Sequence, residues 1–240
     1  PRDWSSDVCS SDLSRSLTLF CGTLDLNGKK LTIGSFVNAG DLTRSISYNS
    51  GTLVLNGSGT VMDASGSGYT SSGSGTINLS SSSAKTFSGG GFSYPTLNQG
   101  GSGAMTIDGS NTFADITNSY ASTGSTTITF TAGTTQTVTQ FSASGSSGKQ
   151  LILNSSSAGT RYNLLDSSGT NSVSYTTISD SHAYGGAKWN SFISNGNVDS
   201  GDNFGWDFSY SPISYNGFSL GYGFSQFAGL SIKDGLSVKR

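Results

Sequence analysis

Hydrolysis of a glycosidic bond needs two carboxylates about 5–9.5 Å apart across the scissile linkage, and this chain contains two pairs with suitable spacing. Asp41/Asp63 and Asp180/Asp202 are each separated by 22 residues. In a coil of that period one aspartate stacks over the other at about 4.8 Å per rung. Neither pair is reinforced by a neighbouring acid. Asp63 opens a Ser/Gly-rich stretch, and Asp202 lies where the repeat described below stops. The expectation for these aspartates is therefore a turn role, with the carboxylate accepting from its own backbone. His182 is the only histidine, in Asp180-Ser-His-Ala-Tyr184. A Ser–His–Asp relay needs a convergent arrangement, whereas successive strand residues face opposite sides, so His182 is expected to be a surface residue at a strand end.

The best metal candidate is the run from Asn195 to Asn203, in which Asn195, Asn197, Asp199 and Asp202 supply oxygen donors. Calcium takes about 6–8 such ligands. The glycine is displaced by one position from the EF-hand pattern, and the terminal glutamate is missing. A turn held by Asn and Asp side chains bonding to nearby backbone is the expected role. Aromatic residues such as Phe92, Tyr94 and Tyr120 have the rings to stack on sugars, although core packing accounts for most of them. Thr18-Leu-Phe-Cys21 faintly matches a lipoprotein processing site, but Phe20 stands where a small residue is needed. No catalytic residue and no cofactor are assigned, and the expected protein is not an enzyme.

Composition narrows the partners. The formal net charge is −2 with charges scattered along the chain, so no clustered basic surface is available for phosphate backbones, and nucleic acid is not an expected partner. No run of 18 apolar residues is present, so no transmembrane helix is expected. Two cysteines, Cys9 and Cys21, allow at most one disulfide.

The elements that position these residues follow from one recurring signal. Short apolar segments return at Leu31-Thr-Ile33, Leu53-Val-Leu55, Ile77-Asn-Leu79, Met105-Thr-Ile107, Ile128-Thr-Phe130, Leu151-Ile-Leu153 and Val173-Ser-Tyr175. Most alternate apolar and polar, the pattern of a strand with one buried face. Their 22–28-residue spacing marks a stacked architecture in which no unit buries its apolar face alone. All 14 acids are aspartate and none is glutamate, and a chain rich in Ser, Thr and Asn is a poor helix former. The fold class expected is all-β: a single-stranded parallel β-helix, or solenoid, of about seven rungs with a C-terminal cap. These seven triplets are expected to stack as one parallel sheet. Leu17-Thr-Leu19, Leu24-Asp-Leu26 and Leu31-Thr-Ile33 step by seven residues, as though three strands make one turn of a three-sided coil. The one 28-residue step, between Ile77 and Met105, places an extra projecting loop near Gly89-Gly90-Gly91. The pairs Phe113/Ile116, Val138/Phe141 and Tyr162/Leu165 are expected to point inward.

Four segments result: 1–13, 14–188 (solenoid), 189–208 (cap, holding Trp189 and Trp206) and 209–240 (tail or start of a further region). Residues 2–13, Arg-Asp-Trp-Ser-Ser-Asp-Val-Cys-Ser-Ser-Asp-Leu, share nothing with the repeat and resemble a translated sequencing adapter; they are expected to add nothing to the core. Three further stretches carry a different resemblance: Thr126 through Val138, Ser179 through Trp189, and Asn195 through Trp206. Over roughly half the chain these resemble repetitive β-solenoid proteins of environmental phage and bacterial surfaces. The resemblance implies a virion-associated or cell-surface structural or adhesive module, located outside the cell. Its implied partners are a host-surface glycan or neighbouring structural subunits. The alternatives are a carbohydrate-active β-helix enzyme and a non-catalytic glycan-binding module.

Overall fold

The computed structural model describes residues 15–38 and 42–211, together with the short segments 213–215, 218–220, 231–232 and 236–237. The expectation for residues 1–13 and the position of Asp41 both lie outside the described residues.

The chain winds as a parallel β-solenoid of about eight turns. The first three turns carry three strands each. These are β1 (Ser16–Leu19), β2 (Gly22–Asp25) and β3 (Lys30–Ile33); β4 (Ser35–Asn38), β5 (Arg44–Ser47) and β6 (Thr52–Leu55); and β7 (Gly59–Asp63), β8 (Tyr69–Ser72) and β9 (Thr76–Leu79). In the fourth turn β10 (Lys85–Ser88) is followed by the two-residue β11 (Ser93–Tyr94) and β12 (Thr96–Gln99). Turns five and six have two strands each, β13 (Met105–Asp108) with β14 (Thr112–Asn118), and β15 (Thr126–Phe130) with β16 (Thr135–Phe141). A third strand returns in the last two turns: β17 (Leu151–Ser155), β18 (Tyr162–Asp166) and β19 (Thr170–Ser172), then β20 (Thr176–Ile178), β21 (Ser181–Gly185) and β22 (Lys188–Asn190). β23 (Val198–Asp199) begins another turn.

Two long parallel sheets form the walls. One runs β1-β4-β7-β10-β13-β15-β17-β20-β23, and the other joins β3, β6, β9, β12, β14, β16, β18 and β21. The third wall is discontinuous, with β2-β5-β8 at one end and β19-β22 at the other. The step of seven residues over 17–33 therefore does trace one three-sided turn. The single-sheet expectation for the seven triplets is corrected. Leu31, Leu53 and Ile77 stack on Leu97 in the second wall, whereas Met105, Ile128 and Leu153 stack in the first. Val173 to Tyr175 precedes β20 and belongs to neither. The 28-residue step is thus a change of wall, not an inserted loop. Gly89 to Gly91 form a tight corner, in which a Cβ on Gly90 would lie 2.1 Å from the Ala64 carbonyl oxygen.

Strand alternation fills the interior. Phe113, Ile116, Val138, Phe141 and Tyr162 all point inward as expected. Leu164, not Leu165, is the partner of Tyr162 in the core, because β18 alternates without interruption. β14 and β16 instead bury residues three apart, in matching register with Phe113 beside Val138 and Ile116 beside Phe141, which is the signature of a bend shared by two rungs. Among the described residues the only helical segments are single 3-10 turns at Ser119–Ser122 and Ile193–Asn195.

Residues beyond β22 keep to the path of the coil. β23 pairs with β20, Phe204 bridges to His182, and Asp207 bridges to Asn190. Each wall thereby receives one more contact. The stretch in which the sequence repeat stops still makes a turn.

Candidate functional site

Three consecutive turns at this end place the chemistry-bearing residues in two columns. β18 and β21 are paired with Tyr162 opposite Ser181 and Asn163 opposite His182, and His182 is in turn opposite Phe204. Two residues before each of those positions, at the corner entering the wall, stand Arg161, Asp180 and Asp202. The backbone ties them in sequence, since Tyr162 N–H donates to Asp180 O at 3.0 Å and Asp180 N–H donates to Gly201 O at 3.1 Å.

The predicted stacking of Asp180 and Asp202 is therefore present, but the carboxylates serve the corner. Both residues are left-handed, at φ 53° and 58°, a conformation Asp tolerates in turns. Asp180 Oδ1 accepts from Gly159 N–H at 2.8 Å. Asp202 Oδ1 accepts from Arg161 Nη2 at 2.9 Å, and its carbonyl oxygen accepts from Arg161 Nε. Asp63 accepts from Ser65 N–H and Oγ, and its register partners are Val37 and Ser88.

The calcium candidates are likewise engaged separately. Asn197 is buried, its Oδ1 accepting from Thr176 N–H and Oγ1 while its Nδ2 donates to Val173 O and Phe192 O. Asp199 Oδ1 accepts from Gly201 N–H and Asn203 Nδ2. The carbonyl of Asn195 accepts from Tyr175 N–H. Asp202 is held by Arg161. Asn197 is turned into the interior toward Thr176 and Val173, and Asp202 pairs with Arg161; among the described residues no three His, Cys, Asp or Glu side chains are grouped to hold a metal ion.

His182 lies on the outer face, as strand alternation requires, with Ser181 and Ala183 buried on either side. Its ring stacks on Tyr184 at 4.8 Å between centroids and meets Phe204 edge-on at 5.2 Å. Tyr184 is 37% and Phe204 64% exposed. Inside the coil at this level sit Trp189, on β22 of the third wall, and Trp206, 3% and 8% exposed, in edge contact with each other at 5.2 Å and both packed against Phe141. Trp206 Nε1 donates to Ser181 Oγ at 2.9 Å. In a regular strand Phe204 and Trp206 would share a face. Gly205 between them is left-handed at φ 82°, and this reversal sends Phe204 out and Trp206 in. A Cβ on Gly205 would meet the Ala183 carbonyl oxygen at 1.7 Å.

The outer aromatic cluster was not visible in the sequence, because its members become neighbours only through rung pairing. Of the rings singled out earlier, Tyr94 is buried, Phe92 packs against the core and Tyr120 is half-buried in a 3-10 turn. Cys21 is exposed.

Two other features carry polar chemistry. Inside the coil Lys85 is buried, its Nζ donating to Ser81 O at 3.1 Å and Gly103 O at 2.6 Å. Burial lowers its ammonium from the ordinary 10.5 to about 8. Gln99 Nε2 shares the Gly103 carbonyl and also donates to Thr126 Oγ1. Burial also raises the hydroxyls of Tyr48, Tyr69, Tyr94 and Tyr162, and it raises Asp115 against the opposing bonds from Ser142. On the outside a groove of about 280 Å³ follows the edge where the third wall ends, lined by Ser71 to Gly75 and Ser93 to Thr96.

No helix among the described residues is long and apolar enough to cross a membrane. No known protein family, curated protein or solved structure matches this chain.

Proposed function

We propose that this chain is a non-enzymatic structural or adhesion module, displayed on a phage tail or a bacterial exterior. The observation that carries the reading is the use made of the polar side chains. Asp63, Asp180, Asp199 and Asp202 each hold a corner of the coil, and the one imidazole packs between two rings. A stacked array whose acids are spent on turns is built to present a surface. Parallel rungs supply length and stiffness, because each turn contacts only its neighbours. The resemblance of residues 126–138, 179–189 and 195–206 to surface and virion solenoids points the same way.

The test is a paired assay on the full chain. Fluorescently labelled protein is incubated with panels of Gram-negative and Gram-positive cells, and released reducing ends are measured in the same tubes. Retention on cells without new reducing ends is the expected result. Release of reducing ends that disappears in Asp180→Asn or Asp202→Asn would replace this reading with a carbohydrate-active enzyme.

A further inference from the structure

We infer that the outer face formed by His182, Tyr184 and Phe204 is a binding site for a neutral oligosaccharide; this rests on the adhesion reading and names its ligand class. Phe204, a large apolar ring, is 64% exposed although Trp206, two residues on, is buried in the interior. Isolated exposed apolar residues are ordinary, but here three rings from two turns form one contiguous cluster, the kind of patch that marks an interaction site. His182 touches both other rings, so Tyr184 and Phe204 are held in place before any ligand arrives. The left-handed Gly205 fixes the outward course of Phe204, so its exposure is built into the backbone.

The adjoining column supplies the polar half of a sugar site. Arg161, Asp180 and Asp202 stand two residues from Asn163, His182 and Phe204 respectively, on the same three turns. Arg161 and Asp202 are about half exposed, at 45% and 52% of their side chains; their mutual contacts use Arg161 Nε and Nη2 and Asp202 Oδ1, which leaves Arg161 Nη1 and Asp202 Oδ2 for hydroxyls. Strand spacing of about 4.8 Å is of the same order as the rise per residue of an extended pyranose chain, so successive sugars meet successive rungs. Charge selects the class. Two carboxylates stand against one guanidinium in this column, which disfavours an anionic polysaccharide and leaves neutral pyranoses, whose C–H faces suit aromatic rings and whose hydroxyls suit carboxylates.

The experiment titrates the full chain with cellohexaose, chitohexaose and hexagalacturonate by calorimetry. Binding of at least one neutral hexasaccharide, with hexagalacturonate weaker, is expected. Tyr184→Ala and Phe204→Ala should each weaken it by about 2- to 12-fold, the range of a single aromatic contact, and the double variant should bind below detection. Phe20→Ala, equally exposed at the opposite end of the coil, should bind as the parent does. Phe204→Leu keeps the apolar bulk without the ring, and covers the case in which the alanine variant does not fold. Absence of neutral binding, equal binding by the double variant, or tighter binding of hexagalacturonate would overturn the inference. So would a concentration-dependent dimer that Phe204→Ala dissolves, since the face would then be a self-contact. If the double variant still adheres to cells, the adhesion reading stands while the sugar site falls.

Discussion

The first four turns and the last four solve the same packing problem with different side chains. Where β2, β5 and β8 add a third wall, the cross-section is wide and is filled by long residues. Arg44, Tyr48, Tyr69 and Lys85 are all buried there, Tyr69 stacks on Tyr94 at 5.6 Å, and Arg44 Nη2 reaches Ser67 O at 2.9 Å. From β13 to β16 the two long walls close on each other, and Met105, Ile107, Ile116, Ile128 and Phe130 suffice. Polar groups inside the later turns include the amides of Gln136, Asn171 and Asn197 and the carboxylate of Asp166. Asn171 Oδ1 accepts from Phe141 N–H at 2.7 Å and Asn197 Oδ1 from Thr176 N–H at 2.9 Å. The early turns thus enclose the long cationic side chains of Arg44 and Lys85, whereas the buried charged side chain of the later turns is the carboxylate of Asp166. The C-terminal end, where β19 and β22 restore a third wall, finishes its core with Trp189 and Trp206 and has aromatic rings left over on its outside.

The largest effect expected at the C-terminal end comes from Trp206. Replacing it with Ala removes a buried indole, its contacts with Trp189 and Phe141, and its bond to Ser181. A loss of about 3–5 kcal/mol is expected for a buried Trp, read from urea denaturation. A much smaller loss would mean that the last turn is not part of the cooperative unit.

The wide end carries the pH dependence. Lys85 falls from the ordinary 10.5 to about 8 in the folded state, so between those values the unfolded chain binds the extra proton, and stability rises with pH. The penalty, on the order of 1–3 kcal/mol, is fully present below pH 8 and is relieved as pH climbs. The buried tyrosines act oppositely above their ordinary value of 10.0, because the folded state retains protons that the unfolded chain releases. Stability by urea unfolding should therefore climb from pH 8 to about pH 10 and then fall. Lys85→Met should lose the climb and keep the fall; a parent curve that is flat over this window would show that the interior ammonium is not under strain.

Between the two ends lies the Asn98 ladder. Its Nδ2 donates to Asn78 Oδ1 and Ser119 Oγ, and its Oδ1 accepts from Thr117 Oγ1 and Ser119 N–H. Asn98→Ala leaves unmatched groups in the two flanking turns and should cost about 1–2 kcal/mol, measured as a shift in the thermal midpoint. The smallest effect belongs to the outer face. Phe204→Ala should change stability by no more than about 0.5 kcal/mol, as surface substitutions do. A loss comparable to Trp206→Ala would make that ring structural and remove the contrast between the inner and outer aromatics.

Alternation in segments such as Thr76–Leu79 and Met105–Asp108, the absence of glutamate, and the near-regular return of apolar triplets determine a parallel β-solenoid, since no other arrangement buries one face of so many short strands at that spacing. The inward direction of Phe113, Ile116, Val138 and Phe141 was legible as apolar pairs three apart across a bend, and the turn role of the aspartates from the side chain's affinity for nearby backbone N–H groups. Which wall each triplet joins was not legible, because two short strands with the same alternation are locally identical, and the length of the intervening corners decides between them. Leu97 stacks on Ile77 after the tight corner at Gly89 to Gly91. The cluster of His182, Tyr184 and Phe204 is likewise a product of tertiary structure: rung pairing juxtaposes residues about one turn apart, and one left-handed glycine decides which of two nearby aromatics is core and which is surface.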